Sequence, residues 1–290
     1  MPLGVALSGG LDSTLLLALA VEAEIPVHAF TVAESADDPE LAVAERAARE
    51  AGVPHEVLLV PPAEQPGFFR DAVHAARAFV FNGRGVLGVP LYRAMAARGV
   101  SSAISGLGAD EIYLASAVEP FLARVRADWA VEAELCGRPA FAPPADVPPR
   151  ALAVELALRA AIPIEVPVAA AAGVSLSLPF LDDALIAAAT SVPEEILRDK
   201  APLRWLAARR GGVLAELATR RKLPRYAPVG HPAWAELFAE LLAPPRLHAL
   251  GLDPARVRAL RDAWHRGGPD RDTLDRVLMK IASLSVLAAP

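Results

Sequence analysis

The string Ser8-Gly9-Gly10-Leu11-Asp12-Ser13 constrains this chain more than any other feature. It follows a short apolar run, Gly4 to Ser8, that reads as a buried strand. It opens an apolar helical run from Thr14 to Ala23, with Asp12 and Ser13 as caps. A strand that turns through glycines into a helix lets main-chain N–H groups approach an anion closely, and the helix start adds the positive end of its dipole. Such a turn suits a pyrophosphate. It lacks the lysine of the kinase-type phosphate loop and the glycine spacing of a dinucleotide fingerprint. Asp12 would repel phosphates unless a divalent cation lies between them, so it is expected to ligate Mg²⁺.

The first third alternates strand and helix. Pro26 to Val32 reads as a second strand and His55 to Val60 as a third, separated by a helix over Leu41 to Ala51 that Asp38 and Pro39 start and Gly52 stops. Phe68 to Phe79 and Pro90 to Arg98 read as helical, and Ser101 to Ser105 as a fourth strand. Strands separated by helices predict an α/β fold, a parallel sheet with helices on both faces. From about Tyr113 onward no strand pattern stands out, and helices dominate around a proline-rich connector from Arg138 to Arg150. The expected division is a nucleotide-binding α/β half, 1–115, and a mainly helical half, 116–290.

Composition narrows the partners. Hydrophobic residues make up 54% and charged residues 22%, enough for a sizeable core. Acidic residues number 34 against 29 basic, a net charge of −5, which disfavours a nucleic-acid binder. No uncharged apolar run reaches the roughly 20 residues of a membrane helix, and Met1 to Gly4 shows no signal-peptide start, so a cytoplasmic protein is expected. Cys136 is the only cysteine, which excludes intrachain disulfides and cysteine-built metal centres. The six histidines show no ligand spacing, and Arg256 to Arg271 reads as a solvated helix face. With 27 prolines, one Asn (Asn82) and one Gln (Gln65), a melting temperature above the mesophile range of ~45–65 °C is expected. Codon bias is the competing explanation.

Ser8 to Ser13 resembles the PP-loop of ATP pyrophosphatases, most of all that of the synthetase domain of glutamine-hydrolysing asparagine synthetase and its relative β-lactam synthetase. Three more segments follow in the family's order: Ser105-Gly106-Leu107-Gly108-Ala109-Asp110-Glu111, Pro179-Phe180-Leu181-Asp182, and Lys200-Ala201-Pro202-Leu203-Arg204 with Arg220-Arg221-Lys222. The likeness implies ATP bound by Leu7, Ser8, Gly9, Gly10, Leu11, Asp12, Ser13, Val32, Ser105 and Gly106, and Mg²⁺ held by Asp12 and Asp110. It also implies catalytic roles for Lys200 and Lys222. In a chain with three lysines against 26 arginines, two at the family's lysine positions suggest sites that need a compact ammonium. Lys200 reads as sitting on the first turn of a helix that Asp199 caps.

The implied activity is an ATP-dependent, AMP-forming amide ligase acting on a small-molecule carboxylate and ammonia or an amine. The PP-loop begins at residue 8, so the family's glutaminase domain is expected to be missing; a separate glutaminase subunit and homo-oligomerisation both fit the reading. The acceptor pocket is expected around Leu107, Glu111, Ser175 and Ser177. There the family's glutamate in Ser-Gly-Glu is Leu107, and its Glu-x-Arg is Ser175-Leu176-Ser177, which puts aspartate in doubt as the substrate. A PP-loop enzyme modifying tRNA and a non-catalytic ATP-binding subunit are the alternative readings.

Overall fold

The computed structural model describes residues 1–114, 118–142, 146–147, 149–220 and 231–288. Its strands are β1 (Leu3–Ala6), β2 (Val27–Ala33), β3 (His55–Leu59), β4 (Ser102–Ser105) and β5 (Ser175–Ser177). They form one all-parallel sheet in the order β3-β2-β1-β4-β5. Between the first four strands run α1 (Leu11–Glu22), α2 (Pro39–Ala51), α3 (Gln65–Ala76) and α4 (Gly83–Ala97). After β4 come α5 (Ala109–Ile112), α6 (Val118–Cys136) and α7 (Pro149–Ala171). Beyond β5 follow α8 (Asp183–Thr190), α9 (Glu194–Leu197), α10 (Ala201–Ala208) and α11 (Gly212–Thr219). The chain closes with α12 (Pro232–Leu241), α13 (Pro244–Ala249), α14 (Pro254–Arg266) and α15 (Arg271–Leu287).

Strand alternation sends side chains to two separate cores. Val5, Leu7, Ala29 and Ile104 pack against α1, α2, α10 and α11, where Leu15, Ala44, Leu203 and Leu214 are buried. Phe30 and Ala103, on the other face, pack against α3, α4 and α7, and this core continues through Trp234, Phe238, Trp264 and Met279 in the last helices. Each buried Leu, Phe or Met removed from water stabilises the fold by about 1.5–3 kcal/mol. The expected α/β architecture is present.

Four local expectations are corrected. β5 lies in the half where no strand was expected, pairing Ser175, Leu176 and Ser177 with Ser102, Ala103 and Ile104. Three residues with one apolar centre carry no readable alternation; the β4 edge and the packing of Leu176 on the core make the strand. The first helix starts at Leu11 with Gly10 as its N-cap, so Asp12 and Ser13 belong to its first turn. α4 starts seven residues before Pro90, where Asn82 accepts a hydrogen bond from the Gly85 N–H at 3.0 Å. Burial of Val86, Val89 and Tyr92 outweighs the internal proline. α10 is capped by Lys200 itself, not by Asp199. α2 matches its expected signals: Asp38 accepts from the Glu40 N–H at 2.8 Å, and Gly52 closes the helix in a left-handed conformation.

Candidate active site

From β1 the chain moves to β2 on one side, while β4 lies on the other. In open parallel sheets, ligands bind where the strand order reverses in this way, outside the carboxyl ends of the strands. The turn after β1 carries Ser8 to Gly10, and the turn after β4 carries Gly106 to Gly108.

The first turn is tied to itself. Ser13 Oγ accepts the Ser8 N–H at 3.1 Å, lies 3.1 Å from Ser8 Oγ, and donates to the Gly10 carbonyl at 3.3 Å. The Gly10 N–H donates to Ser8 Oγ at 3.3 Å. Gly9 adopts φ +75°, and a Cβ there would collide with the Glu40 carbonyl at the start of α2. Glycine is required on both counts. The second turn lies against the first, for a Cβ on Gly106 would sit 3.0 Å from both Asp12 Cβ and Ser13 N. No side-chain hydrogen bond caps α1 at its N-cap, Gly10, and first-turn N–H groups have no partner within the helix.

Lys200 completes the cluster. Its side chain is buried, and Nζ donates to Asp12 Oδ2 at 2.5 Å and pairs with Asp110 Oδ1. Asp12 comes from the first turn of α1, Asp110 from α5 after β4, and Lys200 from the turn before α10. Burial alone would pull the lysine pKa down; the two carboxylates more than offset it and hold the ammonium above its ordinary value. Asp199 and Lys200 both adopt left-handed backbone, φ +56° and +58°. Their N–H groups donate to the carbonyls of Leu114 and Tyr113, each at 3.0 Å.

Two carboxylates that converge on one cation are a donor set suited to a hard divalent ion. Mg²⁺ commonly takes one or two carboxylates and completes its shell with water and phosphate oxygens. Asp12 and Asp110 fit that pattern. Among the described residues no group of three or more His, Cys, Asp or Glu gathers to hold a metal, here or elsewhere, so this pair would rely on water and phosphate oxygens to complete a shell.

The other expected site residues are spread around this point. Ser105 is buried at the end of β4, its Oγ accepting the Leu107 N–H at 3.4 Å. Val32 is half-buried near the end of β2, and Glu111 is half-buried in α5 beside Asp110. The Leu7 side chain is in the core, so at this position only main chain reaches the sheet edge. Leu107 is buried, whereas Ser175 and Ser177 are exposed on edge strand β5, away from the PP-loop by the width of β4. Lys222 lies outside the described residues.

Sequence reasoning missed two features. Thr31 Oγ1 donates to the Leu7 carbonyl at 2.6 Å and lies 2.8 Å from His55 Nε2, so this pair fixes the end of β1. Burial holds the His55 pKa below its ordinary value. Pro179 to Asp182 supports the second turn. Leu181 lies over Gly108, Phe180 packs edge-on to Tyr113, and Asp182 caps α8. No spacing rule announces either arrangement, because each joins residues far apart in the chain.

A protein-family model described as asparagine synthase matches residues 1–142 and 151–287. No curated protein matches the chain.

Proposed function

The chain belongs to the asparagine synthase family, and from that premise we propose that it is an ATP-dependent, AMP-forming ligase that makes an amide from a small carboxylate and ammonia or an amine. The observation that carries this reading is the convergence of Asp12, Asp110 and Lys200 beside the PP-loop at the reversal of strand order. A carboxylate oxygen of the acceptor attacks the α-phosphorus of ATP and pyrophosphate leaves. The amine then attacks the activated carbonyl carbon, loses a proton, and AMP leaves.

The chain's own groups orient and neutralise. Main-chain N–H groups at the start of α1 would receive the leaving pyrophosphate, with the dipole of that helix behind them. Asp12 and Asp110 would hold Mg²⁺, which supplies charge neutralisation at the phosphates. Lys200 keeps those carboxylates compensated and brings a fixed ammonium to the phosphate end of the site, where developing negative charge is stabilised without reorganisation. Lys222 is assigned to the pyrophosphate by its place in the family's motif. Residues 1–115 act as the ATP-binding half and 116–290 as the half that completes the site.

The acceptor is a carboxylate larger or less charged than aspartate. A desolvated α-ammonium and α-carboxylate each need a polar partner, and Leu107 and Leu176 offer none. The test is ATP–pyrophosphate exchange across a panel of amino and other carboxylic acids, followed by addition of ammonia and amines. Exchange with a non-aspartate acid, and gain of aspartate-dependent exchange in the triple variant Leu107→Glu, Ser175→Glu, Ser177→Arg, are expected. Robust asparagine formation by the unaltered chain would overturn the acceptor assignment, and no exchange with any acid would overturn the ligase.

A further inference from the structure

Lys200 reaches its carboxylates from a backbone that a non-glycine residue adopts reluctantly, and so does Asp199 before it. Two successive left-handed residues persist only where the surroundings over-determine them. The N–H groups of both are held by Leu114 and Tyr113. The remaining restraint comes from one turn further along α10. Arg204 Nε donates to the Asp199 carbonyl at 2.7 Å, and Nη2 reaches Asp199 Oδ1 at 3.3 Å. From the same guanidinium, Nη1 donates to the carbonyls of Leu217 at 3.3 Å, Ala218 at 3.0 Å and Arg220 at 2.9 Å. Leu217 and Ala218 lie in the last turn of α11 and Arg220 caps it, so these carbonyls have no partner within that helix. One planar, mostly buried side chain therefore joins the strained turn to the end of a second helix.

We propose that Arg204 is a positioning residue, whose guanidinium clamps the Asp199–Lys200 turn to the end of α11 and thereby keeps the Lys200 ammonium between Asp12 and Asp110. Charge alone does not do this. A lysine at 204 would present a point donor on a flexible stem, whereas the clamp needs a rigid fork with donors on two edges. The activity arm of the test rests on the ligase reading; the labelling arm does not.

The chain's three lysines make the labelling simple. Wild type, Arg204→Ala and Arg204→Lys are treated with an acetylating reagent under native conditions, and the rate at each lysine is read by peptide mass spectrometry. Lys280, paired with Glu132 at 2.6 Å far along the chain, is the internal control for folding. In wild type Lys200 reacts slowly. In both variants its rate rises about tenfold, the mark of local opening, while Lys280 is unchanged. In ATP–pyrophosphate exchange, kcat falls about 100-fold, as for a small misplacement of a catalytic group, with KM for ATP nearly unchanged. Wild-type labelling of Lys200 in both variants overturns the proposal, as does Arg204→Lys behaving like wild type in either assay. Parallel acceleration at Lys280 reduces Arg204 to a general staple and overturns it too. If Lys200 opens selectively but the wild type exchanges with no acid, the positioning stands and the ligase reading falls.

Discussion

Between α6 and α15, Asp128 and Glu132 stand one helical turn apart, opposite Arg276 and Lys280, which stand one turn apart on the facing helix. Arg276 grips Asp128 with two nitrogens, Nη2 at 2.7 Å and Nε at 2.8 Å, and donates to Thr273 Oγ1 at 3.2 Å. Lys280 pairs with Glu132 at 2.6 Å and approaches Asp128 at 3.7 Å. Around Lys200 the arrangement is reversed in each respect. Its carboxylates come from the first turns of two separate helices, α1 and α5, rather than from one helix face, its lysine sits on left-handed backbone, and two anions share one ammonium. The helical cluster balances its charge on regular backbone, so it acts as a brace. The cluster near the reversal of strand order keeps excess negative charge, with its lysine on strained backbone; under the proposed function that charge would hold an additional cation.

The strongest way to break this comparison is Asp12→Asn. The substitution keeps the shape of the side chain and removes the carboxylate that would face the metal. ATP-dependent turnover should fall by about 1000-fold, the cost of losing a main electrostatic group, with the melt little changed. Steady-state kinetics and calorimetry check both. Retained turnover in a folded variant would make the two clusters equivalent.

Asp128→Ala should do the opposite. It leaves Arg276 with Thr273 and Lys280 with Glu132, but strips a bidentate partner from a mostly buried guanidinium. Breaking a buried pair costs about 3 kcal/mol, which lowers Tm by about 6–9 °C in a chain of this size. Exchange activity below the melt should not change. A loss of activity in the folded variant would show that the brace reaches the site.

The sequence made these regions unequally legible. Ser8 to Ser13 is a local signal, since glycines, helix start and carboxylate fall within six residues, and the structure puts them together at the sheet edge. The alternating half of the fold was readable for the same reason, apart from the start of α1, which falls at Leu11 rather than Thr14, and the start of α4, where burial overrode Pro90. The Lys200 turn was not readable: its φ values depend on carbonyls of Tyr113 and Leu114 and on Arg204, contacts that no spacing encodes. β5 was hidden because an edge strand of three residues owes its existence to β4. Thr31 with His55 was hidden because a histidine without ligand spacing looks like any other.

The smallest expected effect sharpens the comparison inside the brace. Asp275, beside Arg276 on α15, is buried and accepts a hydrogen bond from the Trp264 indole N–H. Burial pushes its pKa up to about 6, aided by Asp272 and opposed by the indole, Arg271 and Arg276. The folded state therefore favours the protonated form. The resulting stabilisation is full below the unfolded carboxyl value of about 4 and is lost as pH rises through about 6. Above that, the fold carries an ionised group that it holds poorly. Asp275→Asn keeps an oxygen for the indole and cannot ionise. Its Tm should exceed that of wild type by about 4 °C at pH 7.5, and the gap should close by pH 4. A gap independent of pH, or a lower melt for the variant at pH 7.5, would mean that the ionised carboxylate is well compensated by Arg271 and Arg276. The brace would then extend to Asp275.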